Sequence, residues 1–165
     1  MVNGFGNSQV KQALMLKWII FFVLNFGALG LGGFFTGDGV ISAWYTNLNQ
    51  APWTPPGWVF GAAWTIIMLC FTAYMAFLWP AVKDKKTLIG IFAIQWILNV
   101  VWNPLFFYFQ NIWLGLIVIV SLTLLVGYFL FKFKSQLKLK TLLIFPYFLW
   151  LIIATSLNLY IFAMN

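Results

Sequence analysis

Residues 88–109 read LIGIFAIQWILNVVWNPLFFYF, 22 residues without a charge and long enough to cross the hydrocarbon core of a bilayer as one helix. The run is not uniformly apolar. Gln95, Asn99, Trp102 and Phe106 recur at i, i+4, i+7 and i+11, which is one stripe of a helix, and Asn103 follows Asn99 by four. Amides in lipid need partners, so this stripe has to face protein and not acyl chains. Pro104 removes a backbone donor and leaves the carbonyl of Val100 free. Two roles stay open for Asn99: interhelical glue and ligand contact.

Four further apolar runs flank this one, at 14–35, 58–79, 112–131 and 142–164. Each is continuous, unlike the alternating segments of about ten residues that build outer-membrane barrels. The turn near Gln110–Asn111 is short enough to make its two flanking runs antiparallel neighbours. The expected fold is therefore an all-α membrane protein, a five-transmembrane-helix bundle in a single domain over 1–165, with a structured loop at 36–57. No repeat, low-complexity tract or second domain interrupts the chain.

Composition agrees. Of 165 residues, 64% are hydrophobic, 21% aromatic and 7% charged, whereas soluble domains run near half apolar and a quarter charged. A soluble fold of this size would lack polar surface to cover itself. The charges are nine Lys and two Asp, net +7, with no Arg, Glu or His. A basic balance points to nucleic acid only where it clusters on a soluble face or motif. Here the lysines fill the gaps between apolar runs, so no nucleic-acid partner is expected.

Their distribution sets an orientation. Lys11 and Lys17 precede or begin the first run, Lys83, Lys85 and Lys86 follow the second, and Lys132, Lys134, Lys138 and Lys140 follow the fourth. Five crossings put all three groups on one side and leave only Asp38 in the opposite loops. The positive-inside rule then makes the N-terminus cytoplasmic and the C-terminus external. The first run is too long for the 7–15-residue apolar region of a signal peptide. Its small residues Gly27, Ala28, Gly30, Gly32 and Gly33 read as close helix packing.

What the chain lacks narrows its chemistry. Neither Asp lies within an apolar run, so no intramembrane carboxylate can relay protons. Without His or Glu, and with Cys70 alone, no ordinary zinc or haem-ligating set can form, nor any Ser-His-Asp or Cys-His arrangement. No cofactor is required by these residues. Cys70 reads as a small buried hydrophobe.

The segment Pro52-Trp53-Thr54-Pro55-Pro56-Gly57-Trp58 is stiff, because three prolines fix φ. Pro56 and Gly57 sit where the next helix must begin. With Trp44, Tyr45 and Leu48 ahead of it, the segment is either a lid over the bundle or an interfacial aromatic belt. Deeper aromatics resist the belt reading. Trp64 lies six residues beyond Trp58, roughly 9 Å deeper at 1.5 Å per residue, and Trp150 is several residues inside the last run. Deep Trp on different helices either pack the core or form a stacking box for a planar ligand.

Three multi-residue patterns, in order along the chain from about residue 31 onward, resemble the TspO/MBR family of tryptophan-rich sensory proteins and translocator proteins. They are Trp44-Tyr45-x2-Leu48-x4-Trp53-x-Pro55-Pro56 followed by Trp64; Gln95-x3-Asn99-x2-Trp102-x-Pro104-Leu105-Phe106-Phe107; and Pro146-Tyr147-x2-Trp150-x3-Ala154-x2-Leu157-Asn158. The resemblance implies a five-helix bundle that binds porphyrins such as protoporphyrin IX and haem, and also sterols and benzodiazepine-type ligands. It implies a pocket under the first loop, formed by Tyr45, Trp53, Trp64, Asn99, Trp102, Phe106, Trp150 and Ala154. Relatives often form homodimers. Some bacterial members are described as promoting light-dependent porphyrin breakdown, for which Trp64 and Trp150 would be the candidates here. Gln50-Ala51-Pro52-Trp53 departs from the Lys-Pro-Ser-Trp arrangement of many relatives. Tyr160 is followed by no basic residue, so the family's sterol motif, itself a weak pattern, is incomplete.

The leading expectation is a membrane receptor or carrier for porphyrins, linked to tetrapyrrole transport or stress sensing. The alternatives are photochemical porphyrin degradation and a ligand-sensing scaffold that acts through a membrane partner. The Gly57-x3-Gly61 spacing hints only weakly at helix association.

Overall fold

A computed structural model describes the backbone fold over residues 3–165, and the side-chain surroundings of residue 12 and residues 14–165. Lys11, counted above for orientation, lies outside the described side chains. No strand occurs among the described residues. The helices are α1 (Asn3–Val40), a short α2 (Ala43–Asn47), α3 (Gly57–Ala81), α4 (Lys85–Asn103), α5 (Ile112–Leu137) and α6 (Phe145–Met164). A π-helical turn, Pro104–Tyr108, extends α4, and a 3-10 stretch, Lys138–Ile144, joins α5 to α6.

The helix starts follow from local chemistry. Ser42 caps α2 by accepting the Tyr45 N–H at 3.2 Å, Asp84 caps α4 by accepting that of Thr87 at 3.0 Å, and Asn111 caps α5 by accepting that of Leu114 at 2.9 Å. Pro56 precedes the first residue of α3, as its neighbourhood predicts. The Lys85 ammonium donates to the Trp79 and Val82 carbonyls and so closes the far end of α3.

Side-chain pairs set the directions. Trp18 meets Phe77, and Asn25 donates to Thr72 at 3.0 Å, so α1 and α3 are antiparallel. Trp113 meets Phe162 and Thr123 meets Thr155 at 2.8 Å, so α5 and α6 are antiparallel too. Gln95 pairs with Tyr147 and Trp102 with Asn158, so α4 and α6 run parallel. The result is an up-down-up-down-up bundle. Phe71, Tyr74, Phe129 and Tyr147 fill its centre, where the Tyr74 hydroxyl donates to the Phe129 carbonyl at 3.0 Å.

Four stretches are long and apolar enough to cross a membrane: Leu14–Val40, Gly57–Ala81, Lys85–Tyr108 and Ile112–Met164. The sequence pattern predicts five. The difference lies in the last stretch, whose 53 residues contain the two expected runs at 112–131 and 142–164. The 3-10 link continues the helix while the chain reverses, and Lys138 takes φ 52° at the turn. Helix α1 also runs further than expected. The loop predicted from residue 36 begins only after Val40: the last turn of α1 packs on the π turn, with Gly39 against the Phe107 ring and the Thr36 hydroxyl donating to Asn103 Oδ1. Asp38 thus lies in the last turns of α1, inside the Leu14–Val40 stretch and not in a loop, so the expectation that neither Asp falls within an apolar run fails for it. Large apolar side chains such as Ile66, Ile94, Leu124 and Ile152 face outward on these helices, an arrangement that suits lipid and not water.

Candidate functional site

Between the helices, at the end away from Lys17, Lys85 and Lys132, lies a cavity of about 550 Å³. Helix α1 contributes Ala28, Gly32, Gly33 and Thr36, and the start of α3 contributes Gly57, Phe60, Gly61 and Trp64. Asn99, Trp102 and Phe106 come from α4 and its π turn, and Trp150, Ala154 and Leu157 from α6. The first loop supplies a roof of Tyr45, Gln50, Thr54 and Pro55.

The roof is built by its prolines and aromatics. Trp44 and Tyr45 pack edge-on against Phe106, with centroids 5.4 and 6.2 Å apart, and Tyr45 meets Phe107 at 5.4 Å. The Thr54 N–H donates to the Ala51 carbonyl at 2.9 Å, closing a turn with Pro52 at its second position. Burial raises the Tyr45 phenol above its ordinary pKa of 10.0, so it stays a neutral hydroxyl at working pH.

Of the eight residues expected to form the pocket, Tyr45, Trp64, Asn99, Trp102, Phe106, Trp150 and Ala154 line the cavity. Trp53 does not. It sits at the third position of the proline turn, which directs its ring outward onto α6. There its indole N–H donates to Ser156 at 3.1 Å and its ring meets Tyr160 edge-on at 5.3 Å. Trp58 is 74% exposed, as an interfacial aromatic would be. Within the first loop Tyr45, Gln50, Thr54 and Pro55 cover the cavity and Trp53 faces outward, as does Trp58 in the first turn of α3.

The amide stripe of α4 likewise has two faces. The Gln95 amide donates to the Tyr147 hydroxyl at 2.9 Å, and that hydroxyl donates to Asn99 Oδ1 at 3.3 Å. The Trp102 indole donates to Asn158 Oδ1 at 3.3 Å, and the Asn158 amide donates to the Ala154 carbonyl at 2.9 Å. Thr36 donates to Asn103 Oδ1 at 2.5 Å and ties α1 to α4. Asn99 is thus both glue and cavity wall. Trp64 stands edge-on to Tyr147 at 5.9 Å, and Trp150 edge-on to Phe60 at 5.4 Å.

The sequence pattern did not single out the α1 wall. Ala28, Gly32 and Thr36 are spaced by four, but only Ala28 and Gly32 are among the small residues that the sequence assigns to close packing. Packing is correct for Gly32, where a Cβ would meet the Asn103 amide at 2.6 Å; around Gly33, Gly57 and Gly61 the space is open.

No charged side chain lines the cavity, and no group of His, Cys, Asp or Glu suited to a metal occurs among the described residues. The site can stack flat rings and hydrogen-bond through neutral amides and hydroxyls.

The TspO/MBR family pattern matches residues 18–164. The tryptophan-rich protein TspO of Chlorobaculum tepidum is 34% identical over 158 residues, covering 94% of this chain and 98% of that one. Protein CrtK of Rhodobacter capsulatus is 32% identical, covering 74% and 79%, and the translocator protein of Sus scrofa is 27% identical, covering 78% and 80%. With the apolar helices described above, these matches make this an integral multi-pass membrane protein that belongs to the TspO/MBR family.

Proposed function

We propose that this protein is a receptor or carrier for porphyrins, held in the cavity beneath the first loop. The observation that carries the reading is the lining: Trp64, Trp102, Phe106 and Trp150 come from three separate helical segments around about 550 Å³ with no charged group among them. That volume falls within the ~300–1,000 Å³ of small-molecule sites, which are mostly apolar with a few placed polar groups. Aromatic walls favour a flat ring over a branched ligand. The lining offers no His, Met, Cys or Lys to an iron, and Tyr45 is its only group of a haem-ligating type. A metal-free ring such as protoporphyrin IX therefore suits it better than haem, and other flat apolar ligands, sterols included, compete for the same walls.

The bundle crosses the membrane five times in this reading, since 53 helical residues would span roughly 80 Å at 1.5 Å per residue, far more than one bilayer core. The lysine end lies in the cytoplasm and the cavity roof on the opposite side.

The test is a titration of purified protein with protoporphyrin IX, followed by tryptophan fluorescence, in the wild type and in Trp150→Phe. Saturable quenching near one porphyrin per chain, weakened about tenfold by the substitution, supports the reading. Non-saturating quenching that ignores the substitution means partition into detergent and sinks it.

A further inference from the structure

Gln95 and Tyr147 do not line the cavity, yet they act on a residue that does. Gln95 is 2% exposed and Tyr147 1%. Their chain of hydrogen bonds runs from the Gln95 Nε2 to the Tyr147 hydroxyl and on to Asn99 Oδ1. A hydroxyl has one proton, so the direction of this chain decides which end of the Asn99 amide faces inward. In the observed direction the Asn99 oxygen is taken by Tyr147. Its Nδ2 finds no protein acceptor among the described residues, and Asn99 lines the cavity. The reverse direction would turn the Asn99 oxygen to the cavity.

A buried orphan selects between the two. In the observed direction Gln95 Oε1 is left without a partner, the one such side-chain atom among the described residues. In the reverse direction Tyr147 would donate to Gln95 Oε1 and leave the Gln95 NH2 buried instead. An orphaned donor is the rarer and more costly of the two in folded proteins. Neighbouring amides agree: the Asn103 oxygen is taken by Thr36 and the Asn158 oxygen by Trp102.

We propose that Gln95 and Tyr147 are positioning residues that fix Asn99 as a hydrogen-bond donor to the ligand, so the cavity selects flat apolar molecules carrying an acceptor, such as a carbonyl or carboxylate oxygen, on their edge. This rests on the reading that the cavity is the ligand site. It makes Tyr147 a determinant of specificity without ligand contact.

A matched pair of flat probes tests it: fluorenone, which carries a carbonyl, and fluorene, which does not. Their affinities are measured in wild type, Asn99→Leu, Tyr147→Phe and Gln95→Met, with protoporphyrin IX titrated alongside. The wild type prefers fluorenone about tenfold, the size of one net hydrogen bond. Asn99→Leu abolishes that preference, and Tyr147→Phe cuts it to about twofold or less while fluorene binding stays within about twofold. The infrared carbonyl band of bound fluorenone, lowered by the hydrogen bond in the wild type, moves back in Tyr147→Phe. Gln95→Met, which removes the orphaned oxygen and the donor together, gives an intermediate preference and keeps the test open if Tyr147→Phe fails to fold. An undiminished preference in the Tyr147 and Gln95 variants overturns the proposal, as does equal weakening of both probes. If protoporphyrin IX binds saturably but the wild type shows no preference for fluorenone, the polarity inference alone falls. If no flat probe binds saturably, the cavity reading falls with it.

Discussion

The backbone N–H of Asn49 donates to the side-chain oxygen of Asn165 at 2.9 Å, joining the first loop to the last turn of α6 across 116 positions of sequence. The Asn49 amide adds a bond to the Met164 carbonyl at 3.0 Å, and the Asn165 amide reaches back to the Ile161 carbonyl at 2.8 Å. Gln50, the next residue, lines the cavity. The roof is therefore held by a polar latch at one point and by the Trp53–Ser156 bond at another.

Opening this roof should need the latch to break. Asn165→Ala removes the acceptor for the Asn49 N–H, and the loss of one or two bonds of about 1 kcal/mol each corresponds to about five- to thirtyfold in a rate. Porphyrin release, followed by stopped-flow fluorescence, should quicken by that factor in Asn165→Ala. Entry should quicken as well, so equilibrium affinity changes by less than about threefold. Release unchanged from wild type would show that ligand leaves by a route the roof does not guard.

Two glycines of α1 should respond oppositely to alanine. A Cβ at Gly39 would lie 2.5 Å from the Phe107 ring, whereas one at Gly33 meets nothing within 4 Å. Gly39→Ala has to displace an aromatic side chain wedged in the π turn, and overpacking of this kind costs about 1–3 kcal/mol. Gly33→Ala removes a helix-interior glycine, which is worth about 0.5–1 kcal/mol in favour of the helix. Thermal unfolding of the ligand-free protein in detergent should show a lower Tm for Gly39→Ala and an equal or higher Tm for Gly33→Ala.

The start of α4 carries a pH dependence. Hydrogen bonds from Thr87, side chain and backbone, hold the Asp84 carboxyl below its ordinary pKa of 3.8. A depressed folded-state pKa means that the charged cap stabilises the fold above the unfolded value. That contribution is complete above about pH 5 and is lost as pH falls through 3.8 and below. The difference in Tm between wild type and Asp84→Ala should shrink as the solution is acidified from pH 6 to about pH 3. A constant difference over that range would assign the effect of Asp84 to shape and not to charge.

Most of the bundle and much of the cavity were legible in the amino-acid order, for reasons that also explain the rest. Apolar length places helices, and spacing placed Gln95, Asn99, Trp102 and Phe106 on one stripe. Amides in lipid must meet partners, so that stripe had to face inward. Trp53 was not legible in the same way. Whether its ring lies under the loop or outside it depends on a turn closed by Ala51 and Thr54, which spacing does not reveal. The segment Thr36-Gly37-Asp38-Gly39 has the composition of a loop, yet it stays helical, with Gly39 against Phe107 and Thr36 bonded to Asn103. Glycines that pack and glycines that border empty space look identical in a sequence. Only their neighbours across the bundle separate Gly32 from Gly33.

The reversal between α5 and α6 carries strain that a substitution can relieve. Lys138 sits at φ 52° and ψ −123°, a region that a Cβ disfavours and glycine enters readily. Residues held in such regions store about 1–3 kcal/mol, sustained by the packing around them. That packing is present, since Leu137 and Ile144 on either side are buried against the core and the Lys138 N–H bonds the Lys134 carbonyl. Lys138→Gly keeps the N–H and the turn while removing the Cβ. The relief is partly offset by the greater freedom of glycine in the unfolded chain, about 0.4–1 kcal/mol. Lys138→Gly should therefore unfold at an equal or slightly higher temperature than wild type, and Lys138→Ala, which keeps a Cβ and loses the charge, should show no gain. If both substitutions raise Tm alike, the effect belongs to relief of repulsion among Lys132, Lys134 and Lys140 and not to the backbone.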